Sequence, residues 1–360
     1  MPHTNKPDFN KMKLGVHQIS RLKPQIYWFD LMISIILAWC LFLLALNFSF
    51  KDPNFYFLII LSAIGFYRAI AFTHELVHIK KGSLPGFHFV WHLVCGMPLF
   101  APHFLYKGIH LAHHSKKDYG KEMDGEYIEF GTKSRWLIFA HLLFNFFLPI
   151  FSIFRFMVLP LISICHPRIR LLIMKQMSFM GLKFLFVRKI PHQKSEILIW
   201  YAEEFSCCLL SWLIFALIIN GKLPINIVFQ WYAILAIILT MNSLRSLGAT
   251  HWYSSNGGDF SFIEQIKDSI SVTSNSLFTH IFCPVGTQYH ALHHMFPFIP
   301  YHDLGKVYHY LLVKFPEEKI LKETSISSLV ETWKKVWFLP RKNNLQENKI
   351  YSYNKQVIKD

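Results

Sequence analysis

The chain has 360 residues, of which 52% are apolar, 17% are aromatic and only 16% are charged, with a formal net charge of +15. Soluble domains usually carry about a quarter charged residues, so this composition indicates a membrane protein. It leaves no compact soluble domain to present a basic patch, which excludes nucleic acid as a partner. The six cysteines follow neither a disulfide framework nor a C-x-x-C metal-binding pattern.

In chain order, four apolar segments are long enough to cross a bilayer, which needs about 20 helical residues. Short connections join them into two pairs, with Pro53 in the first connection and Gly221 and Pro224 in the second. The sequence therefore predicts an all-α integral membrane fold with two transmembrane helical hairpins. The predicted spans cover residues 26–46, 55–72, 197–219 and 225–244.

The distribution of basic residues predicts the orientation. The two hairpin tips carry only Lys51 and Lys222, whereas the N-terminal tail 1–24 and the stretch 168–194 are strongly basic. Because Lys and Arg accumulate in cytoplasmic loops, we expect both termini and the long middle loop to be cytoplasmic. The same basic residues predict attraction to anionic membrane lipid.

Two further apolar stretches, 84–106 and 136–165, are interrupted by prolines. The second is too short for two helical crossings, and a single crossing would place its basic flanks on opposite sides. We interpret both as interfacial or re-entrant helices on the cytoplasmic side. The predicted organisation is a basic tail (1–24), a membrane domain with a cytoplasmic helical cap (25–310) and a cytoplasmic C-terminal segment (311–360) with a flexible end.

Eight of the 20 histidines form one H-x-x-x-H and two H-x-x-H-H motifs. Residues i, i+3 and i+4 share one face of a helix, so each motif can aim its imidazoles at one point. All three motifs lie on the predicted cytoplasmic side. Eight imidazoles are too many for one zinc ion and suit two ions, of iron, copper or zinc. The motifs comprise His74 and His78; His110, His113 and His114; and His290, His293 and His294.

A ninth candidate ligand, His251, follows the fourth predicted span at the same membrane face. His88 and His92 stand at i and i+4 but lack a histidine doublet. We therefore expect them to be structural, and we expect the other single histidines either to be structural or to support the ligands from behind.

These motifs and their order resemble the membrane fatty acid desaturase superfamily, and the resemblance covers about residues 25–310. Met295-Phe-Pro-Phe-Ile-Pro300 is similar to the extension that follows the family's third histidine box. The resemblance implies a cytoplasmic site in which the eight histidines hold two iron ions. His251 matches an additional ligand of the family, whereas Leu247 stands where some members have a water-binding Asn.

The resemblance also implies an oxidoreductase that uses O2 to attack an unactivated C–H bond. We expect a desaturase that introduces a double bond into a lipid acyl chain. A lipid or alkane hydroxylase or a carotenoid ketolase of the same superfamily is the alternative. Electrons would come from a separate ferredoxin or cytochrome b5, because the sequence has neither the H-P-G-G haem motif nor a G-x-G-x-x-G fingerprint.

Carboxylates often orient metal-ligating imidazoles by bonding to the second ring nitrogen. Glu264 and Asp268, one helical turn apart, are the first choice for this role. The further candidates are Asp259, Glu75, Asp118 and Asp303.

Two other classes of protein remain open. His74-Glu75-Leu76-Val77-His78 matches the H-E-x-x-H motif of zinc proteases, with Glu75 as general base and Asp124 as a third ligand. This interpretation leaves six histidines of the motifs without a role. A metal transporter or receptor would need ionisable residues within the spans, where Glu203 and Glu204 form the one acidic pair.

Overall fold

The computed structural model describes residues 7–131, 133–178, 186–252 and 260–339. Within these residues the regular elements are helices, apart from one short parallel pairing of β1 (Ser271–Val272) with β2 (Ser325–Ile326) and two isolated β-bridges. The predicted all-α class is therefore confirmed. The helices of the first half are α1 (Phe9–Ile19), α2 (Pro24–Ala45), α3 (Pro53–His78), α4 (Phe87–Trp91), α5 (Phe104–His114), α6 (Trp136–Phe144), α7 (Leu148–Ile153), α8 (Leu159–Cys165) and α9 (Pro167–Gln176).

The second half contains two long helices followed by the short helices of the cap. They are α10 (Lys194–Ile219), α11 (Asn226–Leu247), α12 (Phe262–Asp268), α13 (Leu277–Phe282), α14 (His290–Met295), α15 (Leu304–Lys314), α16 (Ile320–Glu323) and α17 (Leu329–Phe338). Single π-helical turns follow α4 (His92–Gly96) and α7 (Phe154–Val158).

The first hairpin packs closely because small residues line the contact between α2 and α3. A Cβ atom added at Gly65 would lie 3.0 Å from Ala38 Cβ and 3.1 Å from the Ser34 carbonyl oxygen. The Ser62 hydroxyl donates to the Ala38 carbonyl, which joins the two backbones at this point. Small residues at such a contact let helices approach in a membrane, where water does not drive them together.

The second hairpin joins the first because α11 packs against α3. The outward faces of the bundle keep large apolar side chains exposed, as expected where lipid rather than water is the solvent. Phe29 on α2 and Leu209 on α10 are 70% and 72% exposed. The four predicted spans correspond to α2, α3, α10 and α11, and α3 continues to His78, so that the first histidine motif forms its last turn.

Within the described residues, a fifth helical segment is also long and apolar enough to cross a membrane, namely Leu148–Cys165, which runs through α7 and α8. The sequence predicted an interfacial or re-entrant helix here. Asn145, just before the segment, hydrogen bonds with Ser243 near the end of α11. Arg170, just after it, forms an ion pair with Glu204 in the first half of α10. Because α10 begins and α11 ends on the histidine side of the bundle, both ends of the segment lie nearer to that side.

A buried ion-pair network holds this segment against α10. Glu204 is fully buried, and its Oε1 atom lies 2.5 Å from Arg155 Nη2, while its other oxygen pairs with Arg170. Arg155 also donates from Nη2 to the Ser178 hydroxyl. Glu204, which sequence analysis considered for transport, therefore has a structural role in the fold.

We predict that Glu204→Gln destabilises the protein, because it leaves two arginines without their buried counter-charge. The expected loss in unfolding free energy is about 3–5 kcal/mol. Glu196→Gln is the matched control, since Glu196 on the same helix forms a partly exposed pair with Lys107. The control should lose less than about 1 kcal/mol. Unfolding in mixed detergent micelles measures both values, and equal losses would contradict the structural role.

Candidate metal centre

Three helices deliver the histidines of the three motifs to one place. α3 and α5 each end with their motif in the last turn, and the short helix α14 begins at the third motif. The turn before α14 depends on Gly286, whose φ of +70° is a conformation that favours glycine. A Cβ atom there would lie 2.7 Å from Leu304 Cδ1 and 3.1 Å from the Tyr301 carbonyl oxygen, so a larger residue would also crowd its neighbours.

The eight imidazoles form two groups, and within each group the candidate ligand atoms all lie within 4.8 Å of one another. Six of the eight residues are buried, and His78 and His114 are half-buried. The predicted convergence of the three motifs is therefore observed. The first group comprises His74, His78, His110, His114 and His293, and the second comprises His113, His290 and His294.

The ring nitrogens face one another at the spacing of metal ligands. His293 Nε2 lies 3.2 Å from the Nε2 atoms of both His78 and His114, and His294 Nε2 lies 3.1 Å from that of His290. Two nitrogens bound to one ion at about 2.0–2.1 Å would stand roughly 3.0–3.4 Å apart. The donor set and its spacing therefore fit two metal ions, one in each group.

The outward-facing nitrogens of the second motif bond to carboxylates. His113 Nδ1 lies 2.9 Å from Asp124 Oδ2, and His110 Nδ1 lies 3.0 Å from Glu126 Oε1. The Tyr106 hydroxyl lies 2.9 Å from the same nitrogen of His110. Such partners fix the imidazole orientation and leave Nε2 free to bind a metal.

Asp124 is itself held in place by its backbone neighbours. It is fully buried and accepts hydrogen bonds from the N–H groups of Gly120 and Glu126. Sequence analysis missed the orienting roles of Asp124 and Glu126. The available signal was the pair of acids around Gly125, close behind the second motif.

Burial lowers the pKa of five of the imidazoles well below the usual range, and the positive charges of neighbouring groups, mainly other histidines, lower it further. The five are His110, His114, His290, His293 and His294. Burial also lowers the pKa of His113, but the charge and hydrogen bond of Asp124, together with the charges of Glu126 and Asp268, outweigh burial and raise it overall. The neutral imidazoles are in the form that binds metal.

Glu264 does not orient an imidazole, contrary to the prediction. Its side chain accepts from the Ser261 N–H, while the Glu264 N–H donates to the Ser261 hydroxyl. This reciprocal pair is a capping box that begins α12. The Ser-x-x-Glu pattern was visible in the sequence and explains why the Glu264 side chain bonds to the start of its own helix.

Asp268, the other favoured candidate, is buried beside the second group. Its carboxylate accepts hydrogen bonds from the hydroxyls of Tyr119, at 3.0 Å, and Tyr127, at 2.8 Å. The Tyr119 ring packs against His113 with 5.1 Å between centroids. Asp268 therefore supports His113 through a tyrosine.

Gln265, between the two predicted acids, was not predicted but approaches the site directly. Its Nε2 atom lies 3.2 Å from His294 Nδ1 and donates to the His113 carbonyl oxygen. Of the remaining candidates, Asp118 pairs with Lys189, and Asp303 accepts from the Arg21 N–H. Asp259 lies outside the described residues.

His251 joins neither group, although it was predicted as a ninth ligand. Residues 249–251 run antiparallel to residues 268–270, and the His251 N–H donates to the Asp268 carbonyl oxygen. Side chains alternate along such an extended segment. Thr250 lines the same cavity as His113, so His251 is turned away, and burial together with Lys335 lowers its pKa to about 4.

A cavity of about 260 Å³ lies beside the histidines. Histidines of both groups line it, together with apolar side chains from α3, α5, α7 and α11. These lining residues include His74, His113, His290, Ile70, Leu105, Leu148, Leu235 and Ile238. The arrangement can hold an apolar chain next to two metal ions.

The family model described as "Fatty acid desaturase" matches residues 52–323. The chain belongs to the fatty acid desaturase family. It is 31% identical over 306 residues to a ceramide hydroxylase of Caulobacter vibrioides (strain NA1000 / CB15N), covering 85% of this chain and 86% of that protein. No solved structure matches the chain. The chain is thus an oxidoreductase of the desaturase and hydroxylase superfamily, with long apolar helices suited to a membrane.

The zinc protease interpretation is wrong for this desaturase-family chain. Glu75 lies 3.8 Å from His74 Nδ1, but its Oε2 accepts from the Tyr27 hydroxyl and the Tyr301 N–H. Glu75 thus links α2 to the chain after the third motif. Asp124 bonds to a histidine of the second motif instead of completing a site with the first.

We predict that Asp124→Asn weakens metal binding in the second group, because the uncharged amide oxygen is a weaker hydrogen-bond acceptor for His113 than the carboxylate. Loss of such a partner typically costs 10- to 100-fold in metal affinity. Glu264→Gln is the matched control and should leave metal affinity unchanged. Metal titration and elemental analysis measure both variants. A normal second site in Asp124→Asn would contradict the assigned role.

We predict that His251→Ala retains the metal content of the unmodified chain, because its ring lies outside both groups. His290→Ala, which removes a member of the second group, should lose metal. Elemental analysis of both purified variants decides the point. A loss of metal in His251→Ala would restore His251 as a ligand.

Proposed function

We propose that the chain is an O2-dependent hydroxylase that uses two iron ions to hydroxylate the acyl chain of a ceramide-class lipid. The observation that carries this proposal is the cavity, in which histidines from both groups meet an apolar lining. The similarity to a ceramide hydroxylase over most of both chains favours hydroxylation. We therefore propose hydroxylation in place of the desaturation that we expected from the sequence.

The net reaction combines a lipid C–H group with O2, two electrons and two protons to give a C–OH group and water. The iron pair, when bound, supplies the activation of O2 that makes attack on such a C–H bond possible. The eight histidines would hold the irons. Asp124 and Glu126 would keep His113 and His110 oriented with Nε2 toward the metal.

The apolar side chains of the cavity would position the lipid and exclude bulk water from the reacting carbon. At about 260 Å³ the cavity is smaller than the 300–1,000 Å³ typical of sites that enclose a whole drug-sized ligand. It therefore fits part of one chain of a lipid, and the remainder would stay in the surrounding bilayer.

The electrons would come from a separate protein that approaches the histidine side of the membrane. We infer that this side is cytoplasmic, because the opposite hairpin tips carry only Lys51 and Lys222. The basic residues of the histidine side would attract an acidic donor such as a ferredoxin or a cytochrome b5.

Labelling with ¹⁸O₂ tests the proposal. The iron-loaded protein is reconstituted with ceramide, a reductant system and ¹⁸O₂, and the lipids are analysed by mass spectrometry. Hydroxylation adds one ¹⁸O atom to the lipid, whereas desaturation removes two hydrogens and adds no label. A label-free double bond would overturn hydroxylation in favour of the desaturase alternative.

We predict that His293→Ala abolishes the labelled product, because His293 Nε2 stands within 3.2 Å of two other imidazoles of the first group. His280→Ala is the matched control, since the exposed His280 side chain bonds only to Asn275 among the described hydrogen bonds. The control should retain full turnover. Equal activity in the two variants would contradict the assignment of the first group.

A further inference from the structure

Arg245 is a cation on α11 whose charge faces the cavity. It lines the cavity and is half-buried, and no carboxylate among the described residues forms an ion pair with it. Its Nη2 atom donates to the Ser246 hydroxyl at 2.8 Å and to Asn242 Oδ1 at 3.3 Å. Ionisable residues in membrane helices are costly and usually mark a substrate or ion pathway.

The lining contributed by α11 changes from apolar to polar along the helix. Leu235 and Ile238 line the cavity in the middle of α11, whereas Ser243, Arg245 and Ser246 line it near the end on the histidine side. Ten residues of helix separate Leu235 from Arg245, which is about 15 Å. The cavity is therefore amphipathic, with its polar end next to the metal centre.

The facing wall continues this polar end. Asn145 also lines the cavity, and its side chain exchanges hydrogen bonds with that of Ser243, which lines it too. His141 lines the cavity too, and its buried Nδ1 has no hydrogen-bond partner within the part of the chain that the structure describes. Polar groups on both walls therefore leave donors for a polar part of the bound lipid.

The local charge favours a neutral oxygen acceptor over an anion. Glu126 lines the same cavity, and its carboxylate, which bonds to His110, offsets the charge of Arg245. A guanidinium in such a neutral environment can still donate strong hydrogen bonds to a carbonyl oxygen. In a ceramide-class lipid, the acceptor nearest to the acyl chain is the amide carbonyl.

We propose that Arg245 binds the carbonyl oxygen of an amide-linked acyl chain and thereby directs oxidation to carbons close to that carbonyl. This inference rests on the proposed function for the reaction itself. The carbonyl sits at the polar end of the cavity, and the rest of the acyl segment extends toward Leu235. Only the first few carbons then lie beside His74, His113 and His290.

A pair of probes tests the binding step without turnover. One probe is a short-chain ceramide, and the other is its thioamide, in which sulfur, a weaker hydrogen-bond acceptor, replaces the carbonyl oxygen. Affinities are measured on the iron-loaded protein in nanodiscs under anaerobic conditions. The unmodified chain should prefer the amide by about 10- to 100-fold, the value of one charged hydrogen bond.

Arg245→Met should lose this preference while keeping its metal content and melting temperature. Arg245→Lys keeps the charge but not the planar fork of donors, so it should keep part of the preference. Arg68→Met is the matched control, because Arg68 lies on α3 outside the cavity and pairs with Asp30. It should keep the full preference. If Arg245→Met does not fold, the test rests on the preference of Arg245→Lys and on the position of the hydroxyl group in the product of the unmodified chain.

An equal preference in Arg245→Met, or none in the unmodified chain, would overturn the inference. Hydroxylation at mid-chain by the unmodified chain would also overturn it, whereas hydroxylation next to the carbonyl supports it. If the unmodified chain forms no hydroxylated lipid but selects the amide through Arg245, hydroxylation fails and the binding role of Arg245 stands. The two proposals can therefore fail separately.

Discussion

The structure depends on placing eight imidazole rings so that their inward nitrogens face one another inside the protein. Where the outward Nδ1 carries the ring proton, the lone pairs of Nε2 atoms at 3.1–3.2 Å face one another, and burial keeps most of these rings neutral. Metal ions bound between these nitrogens would resolve this conflict, and their binding would contribute to the stability of the fold. The ends of α3 and α5 and the turn at Gly286 are the local features that make this arrangement possible.

The sequence predicted the histidine groups well because their signal is local. A spacing of three or four residues fixes a shared helix face, and hydropathy together with charge placed all three motifs on one side. The partners of the imidazoles were not predicted, since they depend on loop paths. Asp124 reaches His113 through a non-helical turn, and Glu264 is used by its own helix cap. His251 stays outside the two groups because an extended segment, with alternating side chains, follows α11, and its predicted role as a ligand stays a prediction.

The segment of α7 and α8 shows a second limit of sequence reasoning. Its hydropathy matches that of a membrane span, yet it contains Arg155, and the stability of that charge depends on Glu204, 49 positions away. Prolines at 149 and 160 and a π-helical turn interrupt its regular hydrogen bonding. The segment can bend where a straight helix could not, and its first residue, Leu148, lines the cavity.

The polarity of that cavity connects the fold to the choice between hydroxylation and desaturation. Both reactions begin at one C–H bond, and desaturation then needs a second hydrogen on the adjacent carbon to be within reach. A chain held only by apolar contacts can slide along the cavity and present adjacent carbons in turn. A chain whose carbonyl is bound at Arg245 is fixed in register relative to His74 and His290, which limits the carbons presented to the metals. An anchored substrate would therefore have one defined carbon attacked first, and the same register would decide whether a hydrogen on the adjacent carbon is within reach.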